Sequence, residues 1–117
     1  MILIKHNTRQ LGRQGEEMAA QALIAADYLI VARNYQGRWG EIDLIAEKGG
    51  CLYFVEVKLQ RGGTFGTAAE HVTATKKQRI LLQAQHYLAE KGWQGPCGFL
   101  IVAIDDGKLE IIEDFLA

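Results

Sequence analysis

Two carboxylates and an ammonium group sit where an apolar hairpin is expected. The stretch Gly40-Glu41-Ile42-Asp43-Leu44-Ile45-Ala46 leads through Lys48-Gly49-Gly50 into Cys51-Leu52-Tyr53-Phe54-Val55-Glu56-Val57-Lys58. Both flanks are rich in β-branched and aromatic residues and read as strands. Gly-Gly is a preferred two-residue hairpin loop, because both central positions need positive φ. With Gly49-Gly50 as the loop, Lys48 opposes Cys51, Asp43 opposes Glu56 and Glu41 opposes Lys58. Side chains alternate between faces along a strand, so all four charges are expected on one face. A slip of two residues keeps that face; a three-residue loop would turn one strand over.

Directly opposed side chains have Cβ atoms roughly 4.5–5.5 Å apart. Carboxylates that close repel unless positive charge lies between them, so either Asp43 or Glu56 is expected to titrate above its ordinary value. A divalent metal ion held by Asp43 and Glu56 meets that need, with Lys58 as a second positive group. The plain alternative is a wet strand face on which Glu41 and Lys58 pair.

The elements around the hairpin follow from periodicity. Thr8 to Ala26 reads as a helix with Leu11, Gly15, Met18, Ala19, Ala22 and Ala26 along its packing stripe. Tyr28 to Tyr35 reads as a first strand. Gln60 to Thr67 carries Gly62, Gly63 and Gly66 and reads as a loop. A second helix is expected from Thr73 or Thr75, either of which can cap it, to Lys91, with Gly92 as its stop. Its apolar stripe is Ile80, Leu81, Ala84, Tyr87 and Leu88, and its polar side carries Lys76, Arg79, Gln83 and His86. Phe99 to Ile104 and Leu109 to Ile112 are strands joined by an Asp106-Gly107 turn. The expected order is αβββαββ, an α/β mixed sheet whose second helix is a crossover.

The chain has 117 residues and a formal net charge of −1. That length suits one domain, expected over 1–117. Residues 1–104 hold 12 basic and nine acidic side chains, because five acids fall in 105–117. The excess fits a polyanion-binding face without requiring one. Cys51 and Cys97 belong to no CxxC pair, so a zinc site is not expected, and buried free thiols in a reducing compartment are the default. No apolar run approaches the ~20 residues of a membrane span, which makes a cytoplasmic location the expectation.

Gly12-Arg13-Gln14-Gly15-Glu16, Arg33-Asn34, Gly40 to Ile45, Phe54 to Lys58 and Phe65-Gly66 together resemble the YraN family of uncharacterised bacterial proteins. That family is similar to the PD-(D/E)xK nucleases, the archaeal Holliday-junction resolvases in particular. The resemblance spans nearly the whole chain and implies a restriction-endonuclease-like fold with a central five-stranded sheet. It implies an endonuclease acting on DNA, including branched DNA, with Mg²⁺ or Mn²⁺ as cofactor. Glu16 then maps onto the helix acid, Asp43 onto the first strand acid, and Glu56 and Lys58 onto the E-x-K pair. The proline of the motif is absent, since Ile42 precedes Asp43. Gln60 stands where such sequences usually carry Arg, and Gly98-Phe99-Leu100 where they carry Arg-Phe-Asp.

Asp43 and Glu56 would hold the metal through oxygen, Lys58 would position or deprotonate the attacking water, and Glu16 would orient a ligand water. Glu16 also has a plain reading as an acid near a helix start. Arg61, Lys76, Lys77, Arg79 and Arg38 are the expected phosphate contacts, with Arg33 and Asn34 extending that surface. Trp39 either stacks on a base or covers the core edge. Tyr35, Tyr87 and Trp93 read as packing residues, and His71 and His86 lack metal-ligand spacing. The expected partner is nucleic acid, DNA first, with no membrane; a homodimer stays open. The competing reading is a nucleic-acid-binding module that keeps a nuclease scaffold without catalysis.

Overall fold

The computed structural model describes residues 8–60 and 73–113. Helix α1 spans Thr8–Ala25, strands β1, β2 and β3 span Leu29–Gly37, Gly40–Lys48 and Cys51–Gln60, α2 spans Ala74–Lys91, and β4 and β5 span Cys97–Asp105 and Lys108–Glu113. This is the expected αβββαββ order. The five strands lie side by side in chain order. β3 and β4 run parallel across the α2 crossover, and the other neighbours are antiparallel. Arg61, His71 and all but the first residue of the expected Gln60–Thr67 loop lie outside the described residues. Among the described residues, no helix is long and apolar enough to cross a membrane.

Turn chemistry fixes the register. Gly49 and Gly50 take φ of 59° and 78°, and Asp106 and Gly107 take 51° and 81°. Lys48 therefore pairs with Cys51, as expected, and Asp105 with Lys108. Thr73 caps α2 by accepting the Lys76 N–H, and Gly92 ends it in the left-handed conformation, φ 64°. Capping of this kind contributes about 1 kcal/mol.

The sheet is covered on both faces. Ala19, Ala20 and Leu23 of α1 pack with Leu44, Ala46, Val55, Leu100 and Val102. Ala84 and Tyr87 of α2 pack with Ile42, Ile45, Leu52 and Phe54. Full burial of side chains such as Leu23 or Phe54 stabilises by about 1.5–3 kcal/mol each.

Both helical stripes keep most of their expected members, Gly15 and Ala19 in α1 and Ile80, Ala84 and Tyr87 in α2, and differ at one edge. In α1, Met18 is exposed while Ala20 and Leu23 are buried. The stripe runs through Gly15, Ala19 and Leu23 at i, i+4, i+8 rather than through Met18. In α2, Leu81 is exposed and Gln83, expected on the polar side, is buried between Ile80 and Tyr87 on the packed face. The Gln83 side chain fits because Gly37 presents only hydrogen there. A Cβ at Gly37 would lie 2.1 Å from Gln83 Nε2. The thiols also depart from expectation: Cys97 is exposed and Cys51 only half-buried, and both are free.

Gly37→Ala is predicted to destabilise the protein by about 1–3 kcal/mol, because the buried amide must move. Gly12→Ala, with no atom within 4 Å of the new methyl, is predicted to be neutral or to stabilise by about 0.5–1 kcal/mol as a helix-interior change. Urea unfolding of both variants checks this. Equal stability of Gly37→Ala and wild type would mean that Gln83 has other room.

Candidate metal centre and nucleic-acid interface

The β2–β3 ladder pairs Lys48 with Cys51 and continues inward to Leu44 with Val55. The regular ladder ends there, one position short of the Asp43–Glu56 opposition expected from the glycine turn. Asp43 uses the opening: its Oδ2 accepts the Val57 backbone N–H at 2.8 Å. Beside it, Asn34 of β1 takes φ 50°. Period-two alternation breaks at this point, since Ile42 packs on the α2 side while Leu44 packs on the α1 side.

Because of that break, the faces of Glu41 and Asp43 do not follow from counting along β2, although Asp43 stays near enough to Glu56 for that charge to raise it. In β3 the alternation is intact, with Tyr53, Val55 and Val57 toward α1. Glu56 and Lys58 therefore face α2, and the buried Glu56 carboxylate is ion-paired with Lys76 of that helix. Asp43 lies at the break and joins a different set. Glu16, Glu41 and Asp43 each offer an oxygen, and the three oxygens lie within 4.8 Å of one another.

Local structure explains how Glu16 gets there. Gly15 lets α1 approach β3 closely: a Cβ on it would come within 2.9 Å of the Leu59 side chain. Asn34, with its amide nitrogen turned toward the acids, reaches Glu41 Oε1 at 2.6 Å and Glu16 Oε2 at 2.9 Å. A neutral donor bridges the pair without cancelling its charge. Glu17, one position on, faces outward and takes Arg33 in an ion pair of 2.6 Å, so Arg33 is engaged away from the acids.

The electrostatic result is a carboxyl that resists ionisation. Asp43 is pushed up to about 7, first by burial, then by the Glu56 charge, against the lowering effect of the Val57 N–H. Glu16 is also raised, first by burial; Asn34 opposes this, while Glu41 and Glu56 reinforce it. The expected direction holds for Asp43, with desolvation a larger cause than repulsion.

These donors fit a hard divalent cation. Mg²⁺ binds oxygen at about 2.0–2.1 Å, so ligands on one ion lie at most about 4.2 Å apart. Three oxygens on one octahedral ion include at least two adjacent pairs about 2.9–3.0 Å apart, so the set would have to contract around a cation, which would offset the burial and the neighbouring charges that raise Asp43. Glu41 emerges as a full member, although sequence reasoning paired it with Lys58 or Arg38. Its signal was its place two residues before Asp43, one face-repeat along the strand. Among the described residues, no hydrogen bond or ion pair engages the Lys58 ammonium.

The expected phosphate contacts divide. Lys76 and Arg79 line a cleft with Trp39 and Glu41. Arg38 lies over the Trp39 ring, 5.4 Å from its centroid. Lys77 is half-buried, and Arg61 lies outside the described residues. Tyr35 and Tyr87 pack edge to face at 5.0 Å, and Trp93 packs on the α2-side core, as expected of packing residues. His86 is exposed and meets the Tyr35 hydroxyl at 3.0 Å.

Residues 15–104 match the model of "Uncharacterised protein family UPF0102". A UPF0102 protein of Symbiobacterium thermophilum is 48% identical over 101 residues, covering 86% of each chain. One from Saccharophagus degradans is 41% identical over 114 residues, covering 96% of this chain and 95% of its own. One from Nocardia farcinica is 54% identical over 96 residues, covering 80% of this chain and 76% of its own.

A raised Asp43 makes the folded state hold its proton more tightly than the unfolded chain. Stability from this group is full below the ordinary carboxyl value of 3.8 and is lost as pH rises toward about 7. In chelator, the wild type is predicted to lose stability by a few kcal/mol between pH 4 and pH 8. Asp43→Asn should lose much less and be the more stable protein at pH 8. Mg²⁺ should raise the melting temperature of the wild type and leave that of Asp43→Asn unchanged. Thermal melts across pH, with and without metal, decide it. A less stable Asp43→Asn at pH 8 in chelator would make the carboxylate a structural acceptor instead.

Proposed function

The chain belongs to the UPF0102 family, the YraN-like family its motifs resemble, and we propose that it is a divalent-metal-dependent nuclease hydrolysing phosphodiester bonds in DNA. The observation that carries this reading is the meeting of Glu16, Glu41 and Asp43 oxygens within 4.8 Å, beside a strand bearing Glu56 and Lys58. The nuclease-like fold implied by the motifs belongs to the same proposal, and the αβββαββ order with its mixed sheet supports it.

Asp43 would hold the cation with Glu16 and Glu41, and Glu56 would add its charge from the adjacent strand. When bound, the metal supplies positive charge against the phosphate and lowers the pKa of water. The protein's own part is positional. Val57 N–H fixes the Asp43 carboxylate, and Asn34 orients Glu16 and Glu41. Lys58, uncommitted to any described partner, would hold the attacking water or offset charge on the phosphate in the transition state. Lys76 and Arg79 would grip flanking phosphates, and α2 begins beside them with its N-terminal dipole.

The alternative is a binding module without catalysis. It is favoured by Gln60, where an arginine would strengthen the phosphate grip, and by the Glu56–Lys76 pair, which commits the motif acid to a lysine.

The purified protein is predicted to cut DNA in Mg²⁺ or Mn²⁺ and to be silent in chelator. Lys58→Ala should slow cleavage by about 100-fold or more while leaving DNA affinity within a few-fold. Glu56→Ala should lower both cleavage and metal affinity. Cleavage that continues at the wild-type rate in both variants would belong to a contaminant and sink the catalytic reading. Metal and DNA binding without cleavage of duplex, single-stranded or branched DNA would establish the binding module.

A further inference from the structure

A cleft of about 270 Å³ opens between the β1–β2 turn and the first turns of α2. Trp39 and Glu41 line it from the turn, Thr73, Lys76 and Arg79 from the helix, and Gln83 completes the lining. We propose that this cleft is a subsite for a single unstacked nucleotide, its base against Trp39 and its phosphate on Lys76 and Arg79. The substrate class that follows is nucleic acid with unpaired nucleotides, rather than continuous duplex. It rests on the nuclease reading only in that the strand leaving the subsite runs to the Asp43 acids; occupancy itself needs neither metal nor cleavage.

Size sets the first limit. Pockets for small ligands occupy about 300–1,000 Å³, so at about 270 Å³ this cleft matches a single base better than a stacked pair. Chemistry sets the second. Trp39 is half-buried and held from several directions: Arg38 lies 5.4 Å from its ring centroid, the His86 ring lies at 6.2 Å, and its backbone N–H donates to Gln83 Oε1 at 3.3 Å. An indole held in this way can stack on a base with little ordering cost.

Gln83 adds a polar handle. The residue is 1% exposed, and its Nε2 has no hydrogen-bond partner among the described residues. A buried donor left unpaired is destabilising. A base edge carries carbonyl oxygens and ring nitrogens that accept from such an amide.

Charge orients the occupant. Lys76 and Arg79 are three residues apart and so neighbours on one helix face. Among the described residues, Arg79 makes no ion pair. Glu41 on the opposite lip repels an anion, so the phosphate belongs on the helix side and the base on the turn side. Glu41 also belongs to the Glu16–Glu41–Asp43 set, and Lys76 pairs with Glu56. The cleft thus borders both groups of acids.

The test uses the whole chain in chelator at low salt. There are two tryptophans, and Trp93→Phe leaves Trp39 as the sole indole. A short oligothymidylate should change Trp39 fluorescence and bind at least tenfold tighter than a blunt-ended duplex of equal charge. Trp39→Ala should weaken oligothymidylate binding about tenfold and leave duplex binding unchanged. Trp39→Phe, which keeps a ring, should retain most of the affinity and guards against misfolding of the alanine variant. Arg79→Gln should lower affinity and reduce the salt dependence. Equal affinity for the two ligands without a fluorescence change, or unaltered oligothymidylate binding in Trp39→Ala, would overturn the subsite. Because metal is absent, this outcome is separate from the nuclease reading. Quenching without later cleavage sinks only the nuclease, and cleavage without quenching sinks only the subsite.

Discussion

The backbone bond from Val57 N–H to the Asp43 carboxylate is the interaction on which the site depends. A β ladder normally spends each inward N–H on a carbonyl of the neighbouring strand. Here the ladder stops after Leu44 and Val55, and a side chain takes the next donor. The strands can then separate without stranding a backbone group, which buried polar groups tolerate poorly. The gap admits Glu16 from one helix and leaves Glu56 to the other. An ordinary continued ladder would keep Asp43 and Glu56 as a simple cross-strand pair, with no third or fourth acid beside them.

That geometry groups charge by kind. Glu16, Glu41 and Asp43 meet around a neutral amide, near enough to Glu56 for its charge to raise Asp43 and Glu16, while Lys76 and Arg79 line the adjoining cleft with an indole. Net charge near zero hides this arrangement, because the acids and bases cancel in the sum. Burial makes the grouping of acids costly: desolvation is the largest cause of the raised Asp43 and Glu16 values. Folding that retains such a group usually signals a site, though structural networks also shift pKa values.

Register was the part most legible in the sequence. Gly49-Gly50 dictates a two-residue loop, and counting outward from it brings Asp43 to Glu56 without any knowledge of the fold. Helix ends were legible for the same local reasons, as Thr73 and Gly92 illustrate. The face assignment was not legible, because it depends on Asn34 entering the left-handed region and on alternation breaking at Asp43. Asparagine tolerates that conformation, but nothing in Arg33-Asn34-Tyr35 requires it. Gln83 was likewise hidden. Its polarity argues for the surface, and only the missing side chain at Gly37, 46 positions away in sequence, makes room for it inside. Glu41 shares its two-residue offset from Asp43 with any strand neighbour on one face, and the partners that give that offset meaning, Glu16 and Asn34, come from α1 and β1.

Lys76 joins the two halves of the site. Its backbone N–H is capped by Thr73, its position is fixed at the start of α2, and its ammonium neutralises the buried Glu56. A half-exposed lysine on a buried acid is a replaceable counterion, since the ammonium regains water when it leaves while the acid does not. On the proposed reading, a cation among the carboxylates and a phosphate at the helix would both favour that exchange: the first would take over neutralisation of Glu56, and the second would offer Lys76 a new partner. Each ligand would then lower the cost of admitting the other, and linkage would make the benefit reciprocal.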